Sequence, residues 1–395
     1  LHDQIAHLPE RGTGGSGDRD QFDPQPFRRR QHDQQLLGLA AVGERDEKIV
    51  LLNDAEVPVP RLHRMHEHRG GADAGKGGCN LSCRHCGSDC RVDPGVADMP
   101  LGDFLKVLDE EVTPHVDPAD MLIIFSGGEV LVRADLEEAG AEVTRRGYPW
   151  GMVTNGMALT PERFGRLLDA GLKSVSVSLD GFEREHNYIR GNPRSYDRAL
   201  EAVRMIVREP SLSYDVVTCV TGAMVPQLEA FRDMLLSEGV RHWRLFSIFP
   251  MGRAKNDPTL RMTDAQFREM LEFIRRTRQE GRIEVSYACE GFLGGYEAEV
   301  RDHFYQCAAG VSVASIRVDG AISGCTSIRA NYHQGNIYRD QFWDVWQNRF
   351  GPFRDREWAR RGECADCRMF RYCQGGGMHL RGDDGELLYC HYHRL

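Results

Sequence analysis

Eight of the twelve cysteines fall into two tight groups. Cys79, Cys83, Cys86 and Cys90 crowd into twelve residues, and Cys364, Cys367, Cys373 and Cys390 occupy the last thirty-two. Cys219, Cys289, Cys307 and Cys325 lie between them. Disulfide scaffolds spread cysteines through short, loop-rich secreted chains, whereas closely spaced thiols in a long chain converge on metal. Cys79-x3-Cys83-x2-Cys86 offers three thiolates to an iron–sulfur cube whose fourth iron stays open to another ligand. With Cys90 added, the same loop could hold a tetrahedral zinc ion.

Other polar groups recur where loops follow apolar strands. The run MLIIFS leads into Gly127-Gly128-Glu129, whose bare carbonyls and carboxylate suit an ammonium group. The next strands end in Thr154-Asn155-Gly156 and in Ser178-Leu179-Asp180-Gly181.

These residues need a frame, and the apolar periodicity supplies one. It predicts helices over 101–113, 136–146, 161–170, 195–208, 227–239 and 263–280. Strands are predicted over 121–126, 150–154, 173–179, 215–220 and 242–249. Strand–helix units in series describe a parallel sheet covered by helices, with active loops at the strand C-terminal ends. A sixth strand is expected just before Cys79, yet 68–78 (HRGGADAGKGG) cannot form one. Residues 1–75 hold six of the fifteen His and no Cys, Trp or Tyr, and read as a disordered or non-native extension. Deleting residues 1–64 is expected to leave cluster content and activity unchanged. Past residue 285, short strands, turn glycines and cysteines indicate a separate module. Within it, 342–358 reads as an aromatic helix bridging to the barrel. Cys219, in mid-strand, reads as a core thiol, Cys289 as either ligand or core, and His391 and His393 as surface residues.

The chain has 395 residues and a net charge of −9. That acidity argues against nucleic acid as a partner. No apolar run reaches the ~20 residues of a membrane span, and no secretory leader is readable.

Taken together, the cysteine triplet, GGE, the strand-end polar residues and Pro250-Met251-Gly252-Arg253-Ala254 resemble the radical S-adenosylmethionine (SAM) enzymes over residues 79–395. The resemblance implies an α/β fold: a partial (β/α)6 TIM-like barrel over 76–284 and a C-terminal cysteine-rich SPASM/twitch-like domain over 285–395. In that family the open iron of a [4Fe–4S] cluster binds SAM, which is cleaved reductively to a 5′-deoxyadenosyl radical that abstracts substrate hydrogen. By the same resemblance Cys79, Cys83 and Cys86 hold the cluster, and Gly127, Gly128 and Glu129 bind the methionine amine. Asn155, Ser178 and Arg190 hold the ribose or carboxylate, and Met251 and Gly252 lie near the adenine. Cys90 is a bystander, since a fourth thiolate would block SAM. Val130 departs from the Pro common after GGE.

The C-terminal cysteines resemble the SPASM module, which carries auxiliary clusters in peptide-modifying relatives. Cys364, Cys367, Cys373 and Cys390 then form one complete auxiliary set, with a zinc ribbon as the alternative. Cys307 and Cys325, with Cys289 as a further candidate, form a second, incomplete one, because the usual next cysteine is replaced by Gly377; it is either open to substrate, completed by a His or water, or absent. Sulfatase-maturating relatives carry Asp where this chain has Thr326, which counts against formylglycine formation. The expected function is hydrogen abstraction from a peptide or protein, within a subgroup associated with lipoprotein-encoding gene neighbourhoods. Alternatives are a haem- or cofactor-pathway radical SAM enzyme and a non-catalytic zinc-binding protein. The resemblance further implies a flavodoxin- or ferredoxin-like electron donor, and labile thiolate clusters point to a reducing cytoplasm.

Overall fold

The computed structural model describes residues 64–68, 79–87, 99–288 and 290–395. Among the described residues, ten strands form one sheet: β1 (Arg64–His68), β2 (Leu122–Phe125), β3 (Trp150–Thr154), β4 (Leu172–Ser178), β5 (Ser213–Val220), β6 (His242–Ser247), β7 (Glu284–Tyr287), β8 (Val313–Arg317), β9 (Ala321–Ser323) and β10 (Gly335–Asn336). Their spatial order is β10-β9-β8-β1-β2-β3-β4-β5-β6-β7. Strands β1 to β7 run parallel, and the continuous apolar run LIIF of β2 suits a sheet covered on both faces.

The helices alternate with these strands: α1 (Leu101–Val107), α2 (Leu136–Arg145), α3 (Pro161–Asp169), α4 (Glu183–Arg190), α5 (Ser195–Val207), α6 (Leu228–Ser237) and α7 (Asp264–Glu280). Their starts are chemically marked. Thr160 caps α3 with Pro161 in its first turn, and Thr263 with Gln266 closes a capping box on α7. Helix α1 continues into one wide turn over Leu108–Val112, where the Thr113 amide reaches back to the Leu108 carbonyl. Trp150 and Trp243 are fully buried in the core. Gly140 on α2 leaves room for the Trp150 ring, which any Cβ there would overlap.

The strand missing from the sequence reading is present. It is β1, just upstream of the stretch that cannot form one, and it lies within the segment read as an extension. It pairs in parallel with both β2 (Arg64↔Leu122) and β8 (Arg64↔Val313). Composition missed it because RMHEH contains a single apolar residue, and ladder hydrogen bonds are made by backbone that composition does not report. Helix α4 also escaped the apolar pattern, being strongly polar.

The cysteine-rich region is joined to the barrel rather than separate from it. β8 extends the same sheet, and β9 and β10 follow it antiparallel. The aromatic stretch forms α8 (Phe342–Asn348) and α9 (Gly351–Arg354). It bridges as expected: Trp343 stacks on His115 at 4.3 Å and its amide donates to Glu111, while Tyr338 donates to Asp103 at 2.9 Å. A short helix, α10 (Phe370–Cys373), closes the module. No described helix is long and apolar enough to cross a membrane.

Candidate active site

At the C-terminal ends of the parallel strands lies a cavity of about 220 Å³. Cys79, Cys83 and Cys86 line it opposite Gly127, Gly128, Glu129, Asn155, Ser178 and Arg190. The cysteine loop is held mostly by backbone. Arg84 donates its amide to the Ile189 carbonyl at 2.7 Å, and the Arg253 amide and Nε donate to the Cys86 and Cys83 carbonyls. Gly252 makes that approach possible. Its φ is +53°, and a Cβ would overlap the carbonyl oxygen of Cys86 and lie 2.6 Å from that of Gly87.

Glu129 is 1% exposed and staples β2 to β3. Its Oε1 accepts from the Leu131 amide and Thr154 Oγ1, and its Oε2 accepts from the Asn155 amide at 2.7 Å. Burial pushes its carboxyl upward, against those three hydrogen bonds. Asn155 donates to Asn80 Oδ1 at 2.7 Å, tying the strand end to the cysteine loop. Arg190 ends α4 and is held by Asp180, Nε to Oδ2 at 2.6 Å, with Nη1 3.8 Å from the Cys83 sulfur. Burial alone would raise Asp180, but Arg190 and the nearby imidazoles hold it at about 2. Burial lowers His85 to about 4 and His186 to about 3, so both are neutral.

Several expectations change here. The wall near the last barrel strand is made by Ile248, Phe249 and Arg253 rather than by Met251 and Gly252. The turn after Phe249 directs Gly252 against the cysteine loop instead. Cys219 lines the cavity beside Asp180, whose Oδ1 accepts its amide at 2.9 Å, while also packing against the small apolar cluster of Ile189, Ile248, Ala254 and Leu260. His391 is buried and 3.3 Å from Ser247 Oγ, whereas His393 is half exposed beside Glu363. Cys90 and Cys289 lie outside the described residues.

Cys364, Cys367, Cys373 and Cys390 line a second, smaller cavity. Burial pushes Cys373 up to about 12, reinforced by Cys390, Cys364 and Cys367 around it. The buried Arg381 donates to the Cys364 sulfur at 3.2 Å and to the Gly375 and Gly385 carbonyls. Cys307 and Cys325 pack half-buried against the main core and line neither cavity. At Gly377 a Cβ would sit 2.6 Å from the His379 ring and 3.1 Å from the Glu290 carbonyl, so His379 takes the room a cysteine side chain would need.

The thiol spacing tests which metal fits. Among the described residues, the one trio of His, Cys, Asp or Glu with ligand atoms all within 4.8 Å is His85, Asp180 and Cys219. Arg190 already neutralises that Asp180, which disfavours a cation there. Four thiols lining one cavity and three lining another suit clusters whose thiolates bind different irons.

One cavity residue lies within the run CEGFLG, where the sequence reading gave it no role. Glu290 follows β7 and is 2% exposed. Its Oε2 accepts from the Ser247 amide at 2.9 Å, from Ser247 Oγ at 2.7 Å and from the Tyr287 hydroxyl. Its Oε1 has no hydrogen-bond partner. Burial alone would raise this carboxyl, but His391, Tyr287 and Ser247 hold it below the usual range. Its signal in the sequence was the one used for Asn155 and Ser178, a polar residue just after a parallel strand.

A fold with a strand-end cavity, three converging thiols and a second thiol set defines a class. The radical SAM superfamily matches residues 76–235, and the iron–sulfur cluster-binding SPASM domain matches 307–368. The chain carries both domains and is a radical SAM enzyme, with SAM and iron–sulfur clusters as cofactors. Among particular proteins, it is 26% identical to the AdoMet-dependent heme synthase of Methanosarcina barkeri, over 80% of this chain and 94% of that one. It is 28% identical to the mycofactocin maturase MftC of Mycolicibacterium smegmatis, over 83% and 86%. The structure of native anSMEcpe with bound AdoMet and the Cp18Cys peptide shares the fold, with a TM-score of 0.61 and 18% identity over 84% and 93% of the two chains.

Proposed function

We propose that this enzyme abstracts hydrogen from a peptide or protein, with Cys79, Cys83 and Cys86 holding the SAM-binding cluster. Cys364, Cys367, Cys373 and Cys390 hold an auxiliary cluster. The observation that carries the reading is the triplet facing Gly127, Gly128 and the Glu129 staple across one cavity, with a second thiol set in the same fold. When bound, SAM and its cluster supply a 5′-deoxyadenosyl radical. The chain's own residues position and shield. The Gly127 and Gly128 backbone is presented to the methionine amine, Asn155 and Ser178 line the ribose side, and Arg190 anchors the loop through Asp180 and Cys83. Ile248 and Phe249 wall the adenine side. Cys307 and Cys325 belong to a second auxiliary set left one thiolate short, since Gly377 stands where the usual next cysteine would be.

A haem-precursor substrate is the second reading, favoured by the similarity to the M. barkeri enzyme. The ionised Glu290 in the cavity lining favours the peptide reading, because its negative charge repels the propionates of a tetrapyrrole. The reading includes a reducing cytoplasm, a flavodoxin- or ferredoxin-like donor and a substrate encoded nearby, such as a lipoprotein or short peptide. The test is anaerobic reconstitution followed by SAM and dithionite. The wild type should form 5′-deoxyadenosine and change the mass of a neighbour-encoded peptide. Undiminished 5′-deoxyadenosine from the C79A/C83A/C86A enzyme would sink the assignment.

A further inference from the structure

Glu290 is a carboxylate arranged to use only half of itself internally. Three donors converge on Oε2: the Ser247 amide, the Ser247 hydroxyl and the Tyr287 hydroxyl. Ser247 ends β6 and Tyr287 ends β7, so the grip comes from two adjacent strands of one rigid sheet. The side chain is 2% exposed, lines the SAM-site cavity and leaves Oε1 without a partner. A buried carboxylate oxygen with no donor is costly unless something that enters the cavity supplies one. The other charged groups of the lining do not. Arg190 is committed to Asp180, and Arg253 to the Cys83 carbonyl. Glu129 is an acceptor occupied by Leu131, Thr154 and Asn155.

Glu290 also stands on the side of the cavity that meets the C-terminal module. Its carbonyl lies against Gly377, and His391 lies 3.7 Å from its Oε2. The cysteine loop and the GGE segment form other parts of the wall.

Resting on the reading of the chain as a peptide-acting radical SAM enzyme, we infer that Glu290 is a specificity-determining residue whose free Oε1 receives the ammonium or guanidinium of a basic substrate side chain. A charge-assisted hydrogen bond from such a group satisfies the orphaned oxygen and fixes the side chain inside the barrel. A neutral amide of similar shape supplies the hydrogen bond without the charge, and an acidic residue is repelled.

The test uses the iron-loaded, SAM-bound enzyme and five fluorescein-labelled alanine-rich peptides that differ only at a central Lys, Arg, Gln, citrulline or Glu. Binding is followed by anaerobic fluorescence polarisation. The wild type should bind the Lys or Arg peptide at least tenfold tighter than its Gln or citrulline counterpart, with the Glu peptide weakest. In Glu290→Gln, at unchanged iron per chain, that preference should fall to within twofold. Equal binding of Lys and Gln peptides by the wild type overturns the inference without needing any variant, as does a preference that survives in Glu290→Gln. Binding of all five without preference overturns this inference alone. Binding of none, with retention of a propionate-bearing tetrapyrrole, overturns the peptide reading beneath it.

Discussion

The buried pair Asp180–Arg190 should be among the most expensive side-chain contacts in the protein to break on one side only. Asp180 is fully buried at its carboxylate, Arg190 nearly so, and their atoms meet at 2.6 Å. Replacing Arg190 with Gln leaves Asp180 with the Cys219 amide and two neutral imidazoles, but no cation. Removing one partner of a buried pair typically costs about 3–5 kcal/mol. With a urea slope of about 3 kcal/mol per molar, the midpoint should fall by roughly 1–1.7 M. The assay is an anaerobic urea titration of iron-loaded protein, read by fluorescence of the buried Trp150, Trp243 and Trp346. Asp180→Asn should lose a similar amount, because it strands the guanidinium beside Cys83. The double variant Asp180→Asn/Arg190→Gln removes both charges and should recover at least half of either loss. A negligible shift in Arg190→Gln, or a double variant that simply sums the two losses, would refute the reasoning.

Gly252→Ala should push the cysteine loop away from the Arg253 amide, lowering iron by up to about four per chain while leaving the signal of the C-terminal set in electron paramagnetic resonance. Cys373→Ser should also lose about four irons per chain, and metal analysis of the purified wild type should find no stoichiometric zinc. Glu129→Ala strands the Thr154 hydroxyl and two amides, and titration calorimetry should show SAM affinity lowered at least about tenfold, the equivalent of ~1.4 kcal/mol. Deletion of residues 1–63 should leave iron content and 5′-deoxyadenosine formation unchanged. Deletion of 1–70 removes β1 and should yield aggregated or iron-poor protein.

How far the sequence could be read follows from what each signal depends on. The barrel strands were legible because burial on both faces makes them continuously apolar, and Cys79, Cys83 and Cys86 because ligand spacing is local. Gly127 to Glu129 were legible as a strand end, but the stapling role of Glu129 depends on Thr154 and Asn155, which only the fold brings near. β1 was hidden because its place is set by backbone pairing with β2 and β8. Met251 and Gly252 were assigned by motif, and a turn moved the cavity wall to Ile248, Phe249 and Arg253. Cys219 was read only in part, and His391 misread, for one reason. Whether a side chain near a strand end or near the chain's close faces core, cavity or solvent depends on packing between elements distant in sequence.

The sharing of β1 has a consequence for anyone recombining such enzymes. Because β1 is hydrogen-bonded on one edge to β2 of the barrel and on the other to β8, the C-terminal module has no clean seam at residue 285. A chimera that imports a foreign module from that point must satisfy an edge already shaped by this chain's own β1. Exchanges that carry β1 together with β8 to β10 keep that pairing matched and place the new junction between β1 and β2 instead. Those that cut between β1 and β8 leave two mismatched edges, the usual starting point for aggregation.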